Sequence, residues 1–243
     1  MQIRFLLIPL VCGHGYLQDP PARSSAWLYD PAFEQCCTYS NHMEMFCGGL
    51  QHQWNQNGGK CGICGEPYDK TDKVWEKGGS MYLGKTVRTY RKGQTIRVSV
   101  TLTANHKGYF EFRLCNVDGW SSDATQACLD QNVLEFADGT HRFKNVGDYG
   151  STKIDLDVKL PSNVKCDHCV FQWKYTTGNN WGTDPQTGQS CGGCGAENET
   201  FMGCADIRID GEGNGNEPTE KPQPQTTRKT QEPPQVVTQT TTR

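Results

Sequence analysis

Hydrophobic and polar residues alternate along several short stretches of the chain. In TIRVSVTLT (95–103), Ile96, Val98, Val100 and Leu102 fall on one side, and Thr95, Arg97, Ser99 and Thr101 on the other. A period of two marks a strand with one buried face. YFEFRLC (109–115) repeats the pattern with Phe110, Phe112 and Leu114, and KIDLDVKL (153–160) with Ile154, Leu156 and Val158. CVFQWKYTT (169–177) and CADIRI (204–209) are two further strand candidates. Short strands separated by turns predict an all-β fold, an antiparallel β-sandwich of the immunoglobulin or fibronectin kind.

Three segments break the pattern. Residues 30–80 are rich in Cys, Gly, Gln and Asn and carry little periodicity. A loop of that length persists in a domain when it is stapled or functional, so a long disulfide-stapled insertion with short helices is expected. At the start, Arg4 precedes the apolar run FLLIPLV, and small residues Val11 and Gly13 follow. That order of features describes a secretory signal peptide over 1–13, cleaved after Gly13. At the other end, residues 217–243 hold no aromatic and are dominated by Pro and Thr. Such a segment cannot bury enough apolar surface to offset the entropy of ordering, and it reads as a disordered linker or stalk. The folded domain is therefore expected over 14–216.

The chain has 243 residues, 13 cysteines and a formal net charge of −3. Lys and Arg form no basic stripe, which argues against nucleic acid as a partner. No apolar run approaches the roughly 20 residues needed to span a bilayer. Cleavage after Gly13 removes Cys12 and leaves an even set of cysteines. In an exported chain an even set reads as disulfides, whose pairing the sequence leaves open. CDHC (166–169) and CGGC (191–194) are spaced much as in a zinc ribbon. An oxidising compartment and the intervening strand around Trp173 favour disulfides over zinc. A thioredoxin-like role needs a βαβ unit around its Cys-x-x-C, and none is visible. The sequon Asn198-Glu199-Thr200 matches an N-glycosylation acceptor on a surface loop.

Cleavage after Gly13 also gives His14 a free α-amine beside its own imidazole Nδ1. The two nitrogens can close a small chelate ring on a metal, with the amine proton displaced on binding. Nitrogen ligation of this kind suits Cu(II). A second imidazole would complete a T-shaped site. Of the six histidines, His106 lies in LTANHKGYF, between two strong strands, where a rigid turn can aim a ligand. His42, His52, His141 and His168 read as solvated surface residues.

These residues carry a resemblance. HGYLQDPPARSSAW (14–27) resembles the mature N-terminus of lytic polysaccharide monooxygenases, and TANH (103–106) resembles the Ala-x-His segment that holds their second ligand. FQWKYTTGNNWG (171–182) and ETFMGCADIRI (199–209) resemble their C-terminal strands, split here by residues 183–198. The split, with the CGICG and CGGCG units, is most similar to the invertebrate group, auxiliary activity family fifteen. The resemblance covers residues 14–210. It implies that His14 (amine and Nδ1) and His106 (Nε2) hold one copper ion per chain, and that Phe201 is the axial aromatic, with Tyr175 and Trp181 as rivals. It further implies that Ala104 is the small residue limiting the axial face.

The resemblance also implies a secreted, monomeric enzyme that cleaves glycosidic bonds oxidatively in insoluble polysaccharide, chitin first and cellulose second. An external electron donor and O2 or H2O2 would be required, and the protein's part would be to orient the metal on an open face. Such chemistry needs no pair of carboxylates at a set distance, unlike glycoside hydrolysis. Tyr16, Trp27, Trp54 and Tyr68 are candidate sugar-stacking rings, of which at least two are expected in the core instead. The rival readings are a non-catalytic chitin- or cellulose-binding module, an extracellular copper-binding protein, and a disulfide-rich matrix protein.

Overall fold

The computed structural model describes residues 14–211; the expected leader (1–13) and the Pro/Thr-rich segment (217–243) lie outside the described residues. The strands, in chain order, are β1 (His14–Asp19), β2 (Arg88–Arg91), β3 (Thr95–Ala104), β4 (Tyr109–Asn116), β5 (Glu135–Phe136), β6 (Lys153–Lys159), β7 (Cys166–Thr176), β8 (Trp181–Thr183), β9 (Ser190–Gly192) and β10 (Thr200–Asp210). Two four-stranded sheets, ordered β1-β3-β6-β5 and β2-β10-β7-β4, form a sandwich, and β8 and β9 pair as a separate hairpin. The five strands read from the sequence are all present. β7 and β10 start three and four residues earlier than their patterns suggest.

The residues that alternate are the ones that pack. Ile96, Val98, Val100 and Leu102 from β3 and Ile154, Leu156 and Val158 from β6 meet Phe110, Phe112, Phe171, Trp173 and Ile207 of the facing sheet. Burial of this kind stabilises by roughly 1.5–3 kcal/mol per large apolar side chain. In the second sheet β4, β7 and β10 are buried on both faces, while the edge strand β2 is not. The outer face of that sheet, through Cys115, Val170 and Cys204, packs on Phe33, Ile63, Trp75 and Leu129 in a second core. Two-sided burial explains why β7 and β10 lack clean alternation. One pairing departs from the antiparallel expectation: β2 runs parallel to β10, Arg88–Arg91 against Ile207–Asp210. The chain leaving the insertion reaches that edge with Val87 N–H already donating to the Asp206 carbonyl.

The insertion holds short helices, as expected: α1 (Pro31–Glu34), capped by the Asp30 side chain, and a single π turn at His52–Gln56. Another short helix, α2 (Gln126–Asp130), precedes β5 and is capped by Thr125. Among the described residues all twelve cysteines are disulfide-bonded. Cys166–Cys169 and Cys191–Cys194 each close on themselves, which removes the zinc-ribbon alternative. CGIC does not: Cys61 pairs with Cys47, and Cys64 reaches Cys204 on β10. Beside that last bridge Arg23 is buried, with its guanidinium 2.6 Å from both Asp206 and Asp123. Asp206 is held below the ordinary carboxylate range by Arg23 and by His168, despite its burial.

Candidate metal centre

His14 opens β1, and the β1–β3 register sets it opposite Ala104, the last residue of β3. Close approach of the two strands depends on Gly15. A Cβ there would lie 2.6 Å from Leu102 Cδ2 and 3.1 Å from the Thr101 carbonyl oxygen. The Thr103 hydroxyl donates to the His14 carbonyl. His14 remains partly exposed, with 27% of its side chain open. Its Nε2 lies 2.8 Å from Glu44 Oε1. A carboxylate accepts only, so the ring donates through Nε2, which in a neutral imidazole leaves the lone pair on Nδ1.

His106 follows Ala104 by two residues, in the turn between β3 and β4. That turn is tight: Lys107 and Gly108 both have positive φ, 58° and 77°. A Cβ on Gly108 would meet the Thr176 carbonyl oxygen at 2.0 Å. The His106 backbone is tied at both ends, N–H to the Tyr175 hydroxyl at 2.9 Å and carbonyl to Gly178 N–H at 2.8 Å. Its ring is buried. Nδ1 sits 2.9 Å from the Asn179 amide nitrogen and 3.6 Å from Glu199 Oε2. For Nε2 to ligate a metal, Nδ1 must carry the proton. Glu199, or the Asn179 amide turned over, would accept it.

Phe201 is fully buried beside this turn, stacked on Phe46 at 5.9 Å and tilted against Tyr175 at 5.9 Å. Burial pushes the Tyr175 phenol up, so it stays a neutral hydroxyl that receives the His106 N–H. Trp181 is elsewhere, 78% exposed on the β8–β9 hairpin. Ala104 is half-buried at the strand end.

Among the described residues, no three His, Cys, Asp or Glu side chains gather as a metal cage. Two imidazoles and a backbone amine form no such cage, so the donor set implied by the sequence is compatible with this. His42 is buried, edge-on to Tyr16 and Trp27, rather than solvated as expected. His168 is tied to Asp206 at 2.7 Å and His52 to Asp69 at 2.8 Å, while His141 lies exposed. Of the candidate stacking rings, Tyr68 is exposed and Tyr16, Trp27 and Trp54 are half-buried; Trp27 packs against the second core, where at least two of the four were expected to pack.

The sequon does not sit on an open loop. Asn198 is 5% exposed, and its amide donates to the Gly195 carbonyl at 2.7 Å and the Gly193 carbonyl at 3.4 Å. Sequence reasoning missed Glu44, Asn179 and Glu199. Glu199 had a signal only in its position, directly before the strand that carries Phe201. Glu44 had none, because its surroundings carry no periodicity.

Fold and histidine placement together define the class: a disulfide-stapled β-sandwich whose candidate chemistry rests on imidazoles at one end of its sheets. Residues 14–207 match the family described as lytic polysaccharide mono-oxygenase, cellulose-degrading. Among solved structures, the chain is similar to the lytic polysaccharide monooxygenase AA15 from Thermobia domestica in the Cu(I) state, with 39% identity, a TM-score of 0.74, and coverage of 81% of this chain and 98% of that one. A chitin binding domain from Burkholderia pseudomallei matches at 13% identity and TM-score 0.46, covering 82% and 100% of the two chains. The fusolin of Wiseana spp. entomopoxvirus spindles matches at 11% and 0.41, covering 90% of each. No curated protein sequence matches the chain. The chain belongs to the lytic polysaccharide monooxygenases, of the AA15 type: copper-dependent oxidoreductases that act on polysaccharide with an external reductant.

Proposed function

We propose that the mature chain begins at His14 and binds one copper ion through the His14 amine, His14 Nδ1 and His106 Nε2. With it the enzyme cleaves glycosidic bonds of crystalline chitin oxidatively, with cellulose as the second candidate. The observation that carries this reading is the β1–β3 register, in which His14 faces Ala104 two residues before His106. The donor chemistry fits: the Glu44 contact leaves His14 Nδ1 open on the side of its own backbone nitrogen. Copper, when bound, would supply a one-electron couple that an external donor reduces and that lets O2 or H2O2 act as the oxidant of a sugar C–H bond.

The remaining work belongs to the chain. Buried Phe201 and Tyr175 keep one side of the centre apolar, and the small side chain of Ala104 leaves room beside it. Glu199 and Asn179 hold the His106 ring. Trp181 presents a wide ring to solvent beside the Thr183 and Ser190 hydroxyls, which bond to each other at 2.8 Å. A flat indole with hydroxyl neighbours suits stacking on a sugar ring. Chitin is favoured by the invertebrate resemblance; the cellulose-degrading description of the matched family favours cellulose. Export is supported by the disulfides and by the leader-like start. No helix among the described residues is long and apolar enough to cross a membrane.

The test uses the chain starting at His14, loaded with copper and given ascorbate and insoluble chitin or cellulose. Oxidised oligosaccharides in the mass spectrum are expected. One extra residue before His14 abolishes them, and His106→Ala loses tight copper binding. Copper binding without oxidised product on either polymer would favour a binding module or a copper-binding protein instead.

A further inference from the structure

The structure carries a feature that the metal ligands do not require: a carboxylate fixed on the far nitrogen of His14. We propose that Glu44 is a positioning residue for the copper centre, selecting the His14 tautomer before metal arrives and biasing the site toward Cu(II). The proposal rests on the brace reading above.

The geometry is built from the backbone. Glu44 is bracketed by two carbonyls that bind different strands. Gly15 N–H of β1 donates to Met43 O at 3.0 Å, and Met202 N–H of β10 donates to Met45 O at 2.9 Å. Both sheets of the sandwich therefore hold the segment that carries the carboxylate. Downstream, Cys47 is bridged to Cys61, and its N–H donates to Gly65 O at 2.7 Å. From this anchored segment Oε1 reaches His14 Nε2 at 2.8 Å. The stapled insertion thus delivers one side chain to the first residue of the mature enzyme.

Two consequences follow. An imidazole that donates through Nε2 has its lone pair on Nδ1, the nitrogen that shares a chelate ring with the α-amine. The tautomer needed for chelation is already selected and the ring's rotation is restrained, so less ordering is left for metal binding. An anionic partner on the remote N–H also makes the imidazole a stronger donor, and extra donation and charge favour the more highly charged metal. Glu44 is half-exposed, with 40% of its side chain open, which tempers the charge effect but leaves the hydrogen bond intact.

The test compares the mature wild type with Glu44→Gln and Glu44→Ala. In the copper-free wild type, 15N NMR of His14 is expected to show a protonated Nε2 and a bare Nδ1. Glu44→Gln retains that tautomer, because an amide oxygen still accepts; Glu44→Ala gives a mixture. Cu(II) affinity is expected to fall about 10–100-fold in Glu44→Ala, the usual cost of losing such a partner. In Glu44→Gln, the preference for Cu(II) over Cu(I) falls severalfold, read as a rise in midpoint potential of about 59 mV per tenfold. Unchanged thermal unfolding of the copper-free variants confirms that the fold is intact. Wild-type tautomer, Cu(II) affinity and potential in both variants would overturn the proposal. A wild type with the expected tautomer whose copper does not touch His14 would overturn the brace and leave tautomer selection standing.

Discussion

Asn198 illustrates how a residue's surroundings override its motif. Read alone, Asn198-Glu199-Thr200 invites a glycan. In the fold its amide is buried and donates to two glycine carbonyls of the hairpin connection, and the Trp54 indole N–H binds its carbonyl at 2.9 Å. A glycan on that nitrogen would displace both bonds and the packing around them. The folded protein is expected to carry no glycan at Asn198, checked by peptide mass spectrometry of natively folded material. A glycosylated peptide from active enzyme would contradict this. Asn198→Ala leaves the two carbonyls short of a donor, at a cost of about 1–3 kcal/mol. His14 and His106 stand out as candidates by contrast, because each sits at a position a motif marks: one after a cleavage-like run, one in a turn between two alternating strands. Phe201 becomes a candidate only through the resemblance, since a buried aromatic on a strand is ordinary.

At the scale of elements, alternation revealed the strands with one dry face and failed for those without one. β1 is short, and only Gly15 and Leu17 mark its buried side. β2 holds Arg-Thr-Tyr-Arg and is a strand because β10 offers it an edge. The insertion was legible as stapled, but its folding is organised by single polar residues that leave no pattern. Glu66 is such a residue: buried, it accepts the Val74 N–H at 2.7 Å and the Trp75 N–H at 3.3 Å, fixing Trp75 in the second core. Burial raises its carboxyl to about 7 against an ordinary 4.5, although the two N–H donors pull the other way. A folded value above the unfolded one means that the contribution is full below about 4.5 and lost as the pH rises through about 7. Denaturant unfolding between pH 5 and 8 should therefore show the wild type losing on the order of 2 kcal/mol relative to Glu66→Gln. Parallel pH profiles for the two proteins would exclude Glu66 as the source.

On the scale of the whole molecule, the sandwich was legible and the joining of its two cores was not. Pairing depends on which cysteines meet in space, and spacing alone does not give that. The most consequential bridge, Cys64–Cys204, links the insertion to β10 across a sequence separation of 140, next to the buried Arg23–Asp206–Asp123 cluster. β10 also carries Phe201, and the insertion carries Glu44, so both sides of the candidate centre depend on this junction. Cys166–Cys169 spans a separation of only 3. If a disulfide acts mainly by restricting the unfolded chain, the long bridge contributes about 5 kcal/mol and the short one about 2. At roughly 2–4 °C per kcal/mol for a domain of this size, Cys64→Ala/Cys204→Ala should lower Tm by about 10–20 °C, and Cys166→Ala/Cys169→Ala by less than half of that. The long-bridge variant should also weaken copper binding, because it loosens the segments bearing Glu44 and Phe201, whereas the short-bridge variant should not. Equal losses in the two variants, measured by calorimetry with and without copper, would show that the bridges act locally and that the two cores stand without a covalent tie.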